Sequence, residues 1–338
     1  MPRVCLFAWL FLVAGVIHAQ APVRGDSTIR TEVPLVLVPV SVTNTKGEFV
    51  EGLTPLDFAV LVDGKARPFR LDGMDALNAP VSLVVAVQSS GISAAALAKL
   101  QKVGSLFGPL VAGEGGEVAV TTFDCDVKVR QDFTSDPELI VNAFRGLQPG
   151  DAMSGRMIDA VVDGLRMLIR RGADRRRVIF VIGETRDRGS KETVEDAVKL
   201  AVKDDVAIYA LSYSAYAMPF TSKPGDVPEA RESSSSSSSL NSVPLIAIFT
   251  ELARLGKINA ADALTVATGG DHESFLTQKA LERTIARIGR EIHEEYVVSF
   301  PPAKSDAPGF HTIEVRLTGV RHAKVRARTG YWRTGGSE

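Results

Sequence analysis

Four polar segments of this sequence carry the side chains whose types and spacing could support chemistry. They are residues 88–93, 124–126, 151–154 and 184–190. Carboxylate and hydroxyl oxygens dominate them, and a hard divalent cation such as magnesium takes oxygen ligands, usually with one or more carboxylates among them. Ser89 or Ser90 could therefore join a rebuilt cation site. Its carboxylates would come from Asp124, Asp151, Glu184 and Asp187.

Local structure offers another explanation for the same residues. Ser93 is placed to cap the helix that follows it, and Ser154 could cap a later helix. Thr193 with Asp196 resembles a capping box. Asp187 lies between two arginines and could pair with either one. These local roles account for most of the polar residues, and the rebuilt cation site stays an alternative.

The histidines give limited support to a hydrolase. Nucleophilic catalysis needs a serine or cysteine beside a base, commonly histidine, that a third group holds in place. None of the histidines beyond the N-terminal segment lies beside a Gly-x-Ser-x-Gly pattern. They are His272, His293, His311 and His322. His272 follows two glycines at a predicted strand end, and we expect it on the surface. A metal-assisted or serine hydrolase that uses the same loops is kept as the alternative function.

Other common chemistries lack their sequence signatures. Cys125 is the only cysteine left once the N-terminal segment is set aside, so we expect neither an intrachain disulfide nor a zinc site. A basic cluster, Arg170-Arg171 and Arg175-Arg-Arg177, could bind an anion, but a solvated charged loop at a helix end explains it as well. The formal net charge of -1 gives no reason to expect nucleic acid as a partner.

The element that must position these segments is an unbroken apolar run, Leu83 to Val87. A helical pattern begins at Ser93 after a Ser/Gly turn, so this stretch predicts a buried strand, a turn and a helix. A strand that is apolar on both faces needs helices on both sides, which places it in the middle of a parallel sheet. Ligand sites in such sheets lie at the carboxyl ends of the strands, where the polar segments are predicted.

Strand and helix patterns alternate through residues 81–294, which predicts a doubly wound, mostly parallel α/β sheet with helices on both faces. The short alternating Val127-x-Val129 is expected to form an antiparallel edge. Residues 33–76 and 295–333 instead alternate apolar and polar positions, as β-strands do. We therefore predict that both ends of the chain build one small β-sandwich, with the α/β domain inserted between them.

Several segments are expected to lie outside these folded parts. Residues 1–21 combine an early arginine, a short apolar segment and an Ala19-Gln20-Ala21 cleavage pattern, which predicts a secretory signal peptide. We expect an exported protein, secreted or periplasmic, without a stable membrane span. Residues 22–32 and 334–338 are expected to be flexible. The Pro- and Ser-rich composition of residues 214–243 predicts a disordered insertion.

Several places in the sequence resemble the von Willebrand factor type A family, in the divergent form that secreted bacterial proteins carry. They are the strand and turn at 83–93, Asp159-Ala160, the segment 177–190, and the blocks 296–300 and 328–332. The resemblance implies a doubly wound α/β fold and an interaction module. It also implies a metal-ion-dependent adhesion site, in which an Asp-x-Ser-x-Ser turn, a threonine and a later aspartate bind a divalent cation.

The adhesion site that the resemblance implies is degenerate in this sequence. The residues at its positions are Gln88, Ser90, Ile92, Gly155 and either Ile182 or Gly183. Glycine and isoleucine offer no side-chain oxygen to a cation, so we expect no bound metal and no other cofactor.

We therefore predict an exported, non-enzymatic binding module that engages a protein or cell-envelope partner through the loops at the carboxyl end of the sheet. The candidate partner-binding residues are Gln88, Ser89, Ser90, Asp151, Ser154, Glu184, Arg186 and Asp187. A further hypothesis is a scaffold component whose serine-rich insertion makes the contact.

Overall fold

A computed structural model describes residues 35–72, 79–111, 113, 115–172, 174–213, 256, 259–303, 306–320 and 322–333. The predicted signal peptide, the segments at 22–32 and 334–338 and the serine-rich insertion at 214–243 lie outside the described residues. Within the described ranges, no helix is both long and apolar enough to cross a membrane.

Strands and helices are numbered along the chain. The strands are β1 (Val36–Asn44), β2 (Phe58–Val62), β3 (Lys65–Ala66), β4 (Arg70–Asp72), β5 (Val81–Gln88), β6 (Glu117–Phe123), β7 (Val127–Thr134), β8 (Arg176–Gly183), β9 (Val206–Ser212), β10 (His272–Ser274), β11 (Tyr296–Phe300), β12 (Gly309–Leu317), β13 (Ala323–Ala327) and β14 (Gly330–Arg333). The helices are α1 (Ala94–Leu100), α2 (Phe107–Leu110), α3 (Pro137–Arg145), α4 (Met157–Ile169), α5 (Val194–Lys203), α6 (Ala260–Thr268) and α7 (Gln278–His293).

The central sheet has six strands in the order β10-β9-β8-β5-β6-β7. Neighbouring strands are parallel except β6 and β7, which are antiparallel, as the Val127-x-Val129 pattern predicts. Counted along the chain from β5, the strands follow the doubly wound order 3-2-1-4-5-6. Every residue of β5 is buried, which agrees with its unbroken apolar run.

Helices cover both faces of this sheet. α4, α5 and α6 pack on one face, and α1, α2, α3 and α7 pack on the other. Val84 and Ala86 of β5 lie in the first core, whereas Val85 and Val87 lie in the second. Because alternate residues of one strand feed two separate cores, β5 must lie between two helical layers. The predicted fold class is confirmed.

Strands from both ends of the described chain form two further antiparallel sheets. One has the order β13-β1-β11-β4, and the other has the order β14-β12-β2-β3. Val38 and Val40 of β1 are fully buried and share a core with Phe58 and Val60 of β2. Since the two sheets share one apolar core, they pack face to face as a small β-sandwich.

Candidate functional site

The carboxyl ends of the parallel strands meet at one edge of the central sheet, which we call the carboxyl edge. The register aligns Gln88 of β5 with Phe123 of β6, and Gly183 of β8 with Ser212 of β9. Immediately beyond β5, the Ser89 N–H donates to the Phe123 carbonyl oxygen at 2.8 Å. The loops that follow these strands therefore start side by side.

Backbone hydrogen bonds tie the four predicted polar segments together at this edge. They run from Gly91 N to Ala152 O (2.8 Å), from Arg156 N to Asp124 O (3.1 Å) and from Arg188 N to Gly155 O (2.9 Å). The loop around residues 151–156 takes part in each of these bonds. It is the piece of chain that joins the other three segments.

The side chain of Gln88 lies at the centre of the carboxyl edge. Its Oε1 accepts a hydrogen bond from the Glu184 N–H at 2.8 Å, and its Nε2 donates to Ser90 Oγ at 2.9 Å. Gln88 is only 1% exposed, and Ser90 is fully buried. One uncharged amide therefore links the turn after β5 to the segment after β8.

Two further hydroxyls extend this network into the core. Ser90 Oγ lies 3.1 Å from Ser93 Oγ, which accepts a hydrogen bond from the Tyr213 hydroxyl at 2.6 Å. Burial raises the pKa of Tyr213, so the phenol stays protonated and can donate. The prediction that Ser93 caps α1 is wrong. Ser93 directly precedes α1, but its hydroxyl is used by the buried network and makes no capping bond to the helix.

Two glycines make room for the Gln88 amide. A Cβ on Gly155 would lie 2.6 Å from Gln88 Nε2, and a Cβ on Gly183 would lie 2.8 Å from Gln88 Oε1. Both separations are far shorter than van der Waals contact, so a larger residue at either position would displace the amide. Gln88, Gly155 and Gly183 therefore form one packing unit, which we call the amide plug.

Asp187 holds the N-terminus of α4. Its Oδ1 accepts a hydrogen bond from the Ile158 N–H at 3.0 Å and another from the Ser190 hydroxyl at 2.6 Å. In return, Asp159 accepts two backbone N–H groups from the loop that follows Ser190. The first N–H groups of a helix have no partner within the helix, and its dipole favours an anion there. Asp187 is thus a cap supplied by a distant loop.

Two predictions about this loop are wrong for the same reason. Ser154 does not cap α4, because the helix begins at Met157 and receives its cap from Asp187. Asp187 does not pair with an adjacent arginine, and Arg188 Nε lies 3.3 Å from Glu184 Oε2 instead.

The cap predicted for α5 is confirmed, since Thr193 Oγ1 accepts the Asp196 N–H at 3.1 Å.

Comparison with known proteins finds matches among solved structures alone. Neither a family model nor a curated protein sequence matches the chain. An aerotolerance-related membrane protein from Bacteroides fragilis NCTC 9343 is 14% identical, with a TM-score of 0.41 over 62% of this chain and 99% of that one. A von Willebrand factor type A structure from Catenulispora acidiphila is 8% identical, with a TM-score of 0.43 over 90% and 75%. The vWF domain of the type V pili tip protein Mfa5 from Porphyromonas gingivalis is 10% identical, with a TM-score of 0.39 over 63% and 95%.

The α/β domain has the fold that the type A resemblance implies. Its doubly wound strand order with one antiparallel edge strand agrees with the resemblance that the sequence carries. At identities between 8% and 14%, the similarity concerns the fold alone.

The residues at the carboxyl edge do not fit the cation that the type A resemblance implies. The amide plug puts an amide and two glycines at positions where the family has oxygen ligands, and the carboxylates of the alternative site lie in other environments. Glu184 pairs with Arg188, Asp187 caps α4, Asp124 Oδ1 accepts the Asp126 N–H at 3.0 Å, and Asp151 is exposed. Across the described ranges, no three acidic, histidine or cysteine side chains are grouped so as to hold a metal.

The carboxyl edge of the α/β domain has a buried polar layer and an exposed layer above it. Ser89 is buried together with Gln88 and Ser90. Asp151 and Arg186 are exposed, and Met153 is 63% exposed. Sequence analysis missed Met153, although a methionine inside a polar loop was a signal for it. A partner could touch the residues of the exposed layer directly, whereas the residues of the buried layer are covered.

His272 is not a surface histidine, contrary to the prediction. Its side chain is 11% exposed, and Nε2 lies 2.8 Å from Ser212 Oγ. Nδ1 contacts the carboxylate of Asp262 in the first turn of α6. An aspartate on Nδ1 favours the tautomer whose Nε2 can accept the serine proton. Ser212, His272 and Asp262 come from three separate elements, so their spacing in the sequence gives no signal of this arrangement.

The basic cluster lies at the opposite, amino end of the sheet. Arg171 donates two hydrogen bonds to Glu117, at 2.8 and 2.6 Å, and Arg175 Nε donates to Ser82 Oγ at 2.6 Å. Burial alone would raise the pKa of Glu117, but hydrogen bonds from Arg171 and Ser82 outweigh it and lower that pKa. The guanidinium groups of Arg171 and Arg175 therefore bind the starts of β5 and β6. They are not free to bind an anion, and they are not fully solvated as a charged surface loop would be.

Proposed function

We propose that this chain is an exported, non-enzymatic binding module that engages a protein or cell-envelope partner through the loops of its carboxyl edge. Binding needs no divalent cation. Export follows from the signal-peptide pattern of residues 1–21.

The observation that carries this proposal is the amide plug. A cation in an adhesion site joins loops that come from different strands. Here the Gln88 amide joins the turn after β5 to the segment after β8 through two hydrogen bonds of 2.8 and 2.9 Å, and it packs against Gly155 of the third loop. A buried network whose donors and acceptors are paired makes the surrounding structure rigid. The loops can therefore present a preformed surface, which lowers the entropy cost of binding.

The contact surface we propose is the exposed layer of the edge. Asp151 and Arg186 offer opposite charges, and Met153 offers a flexible apolar side chain of the kind common at binding surfaces. Ser154 is half-buried at the side of this surface. Gln88, Ser89, Ser90, Glu184 and Asp187 support these residues from below.

The test is an affinity capture with the purified chain immobilised and solubilised envelope proteins as the probe. We expect the same partner to be captured in magnesium and in EDTA. Asp151→Lys combined with Arg186→Glu should abolish capture, because it reverses both charges of the surface. Lys65→Glu on β3 is the control, since it reverses an exposed charge on the β-sandwich, away from the carboxyl edge, and it should have no effect. Capture that requires magnesium would contradict the proposal, and so would capture that survives the double substitution.

A second candidate function rests on Ser212, His272 and Asp262. Their contacts are those of a serine activated by a histidine that an aspartate orients. Ser212 is only 3% exposed, so a substrate would have to displace the cover above it. A fluorophosphonate probe distinguishes this candidate from a binding module. Labelling of the wild-type chain that is lost in Ser212→Ala and in His272→Ala would establish a reactive serine, and no labelling would leave the trio a structural link between β9, β10 and α6.

A further inference from the structure

A cavity of about 500 Å³ lies between the α/β domain and the β-sandwich. Residues of β10 and α7, together with Asp271, form its wall on the α/β side. The end of β1, the turn at 45–47 and β13 form the wall on the sandwich side. Small-molecule sites commonly have volumes of roughly 300–1,000 Å³ and lie at domain interfaces. We call this cavity the interlobe cleft.

Cationic side chains outnumber anionic ones on the walls of the interlobe cleft. The cations are Lys46, Arg287, Lys324 and Arg326, and the anions are Asp271 and Glu273. Glu291 lies behind the wall and contacts both arginines. The net charge of these side chains stays positive when Glu291 is included. A cleft with an excess of one sign of charge concentrates ligands of the opposite sign. Its field favours an anion.

The two arginines are held in fixed positions. Arg287 Nη2 lies 2.7 Å from both Asp271 Oδ2 and Glu273 Oε1, and Arg326 Nη1 lies 3.0 Å from Asp271 Oδ1. Burial alone would raise the pKa of Asp271, but the guanidinium groups of Arg326 and Arg287 outweigh it and lower that pKa. The carboxylate is therefore ionised and keeps both arginines in place. A planar guanidinium that is already fixed loses little entropy when it binds an oxyanion.

One N–H donor atom on each of these arginines has no hydrogen-bond acceptor among the described residues. Arg287 Nε and Arg326 Nη1 are buried without a hydrogen-bond acceptor in the described part of the chain, although the latter lies within ion-pair distance of Asp271. A buried donor without a partner calls for an explanation, and a bound water or ion is a common one. Both atoms are covered, so an oxyanion in the cleft would contact the parts of these side chains that form the wall, which leave Arg287 19% and Arg326 13% exposed.

The rim of the cleft shows a second unusual feature. His322 has a φ of 60°, a left-handed conformation that is uncommon for residues other than glycine. Such conformations cluster at ligand-binding and switch regions. Beside His322 on the sandwich side, Asn44 Oδ1 accepts the Lys46 N–H at 2.8 Å and so fixes the turn that presents Lys46.

We propose that the interlobe cleft binds a small oxyanion with two negative charges, of which a phosphate group is the simplest example. Arg287 and Arg326 form the fixed floor of the site, and the exposed Lys46 and Lys324 complete it from the rim. The site draws on both lobes, and it is independent of the carboxyl edge.

Calorimetric titration of the full chain with inorganic phosphate tests this proposal, at neutral pH and at an ionic strength held constant with chloride. We expect saturable binding of one phosphate. Lys46→Ala combined with Lys324→Ala should weaken it about tenfold or more, because charge-assisted contacts are lost. Both lysines are exposed, so this variant should fold. Lys128→Ala, which removes an exposed lysine far from the cleft lining, is the matched control and should bind like the wild type.

Arg287→Lys provides a second variant, because it keeps the positive charge and removes the guanidinium fork. Its phosphate affinity should fall while its circular dichroism spectrum stays that of the wild type. The proposal is overturned if the wild-type chain shows no saturable binding of phosphate. It is also overturned if the double lysine variant binds phosphate as tightly as Lys128→Ala does.

Discussion

The amide plug and the interlobe cleft are both built around buried polar side chains, but the side chains of the amide plug are uncharged and those of the cleft are charged. At the carboxyl edge, the uncharged Gln88 amide is paired on both of its ends and packed against two glycines. In the interlobe cleft, Arg287 and Arg326 are held by carboxylates and still have donors without acceptors. A closed neutral network suits a fixed support, whereas a charged network with spare donors suits a ligand.

The largest effect should come from breaking the charged network. Arg326→Ala leaves Asp271 and Glu291 short of a buried cation, and the loss of one partner of such a network costs ~3–5 kcal/mol of unfolding free energy. Urea unfolding measures this loss. Arg316→Ala is the control, because the Arg316 side chain is exposed on β12 and its ion pair with Glu314 lies at the surface, where such pairs contribute little. An equal loss in both variants would contradict the importance of the cleft network.

Glu295, in the short segment between α7 and β11, should also give the protein a pH response that the amide plug lacks. Burial raises the pKa of Glu295 to about 7, against the opposing effect of Arg176. Since the folded state binds this proton more tightly than the unfolded state does, stability falls as the pH rises from about 4.5 to about 7. The slope contributed by this group is at most ~1.4 kcal/mol per pH unit.

Glu295→Gln checks this expectation, because glutamine has no proton to lose. The difference in unfolding free energy between the wild type and Glu295→Gln should decline with rising pH across that window. A difference that is constant with pH would show that Glu295 has the same pKa in the folded and unfolded states.

The amide plug should be sensitive to a single methyl group. Gly155→Ala forces a Cβ against Gln88 Nε2 and should cost ~1–3 kcal/mol, the usual range for overpacking. Gln88→Ala in the same chain makes room for that methyl group, so the double variant should be more stable than the sum of the two single effects predicts. Gly108→Ala is the matched control, because a Cβ there has nothing within 4 Å. Strict additivity would contradict the packing unit.

The smallest effect should be at the cap of α4. Asp187→Ala removes the acceptor of the Ile158 N–H and should cost ~0.5–2 kcal/mol. Asp187→Asn keeps an acceptor and should retain part of that stability. Thermal unfolding compares the two, and equal melting temperatures for Ala and Asn would exclude a capping role.

Sequence analysis predicted the fold because the relevant patterns are local. The unbroken run of Leu83 to Val87 predicted a central parallel strand, and the alternation of Val36 to Val42 predicted a strand with one buried face. The residue types at the adhesion-site positions are also local, and from them the sequence predicts a degenerate site.

The chemistry of the candidate site could not be predicted in the same way. The amide plug joins Gln88 to glycines that lie far along the chain, and Asp187 accepts the N–H of Ile158, which lies 29 residues before it. Hydrogen-bond partners at such separations depend on the packed tertiary structure. The sequence analysis considered Gly155 and Gly183 only as positions that had lost a metal ligand. Two glycines at these positions also indicated that a larger side chain, here Gln88, occupies the space beside them.

Metal titration tests the central claim most directly, namely that the Gln88 amide has replaced the cation of the adhesion site. Magnesium and manganese are titrated into the full chain by calorimetry, and its thermal unfolding is compared with and without EDTA. The account predicts no saturable heat and the same melting temperature in both buffers. A micromolar manganese site that raises the melting temperature and is lost in Ser90→Ala would contradict it.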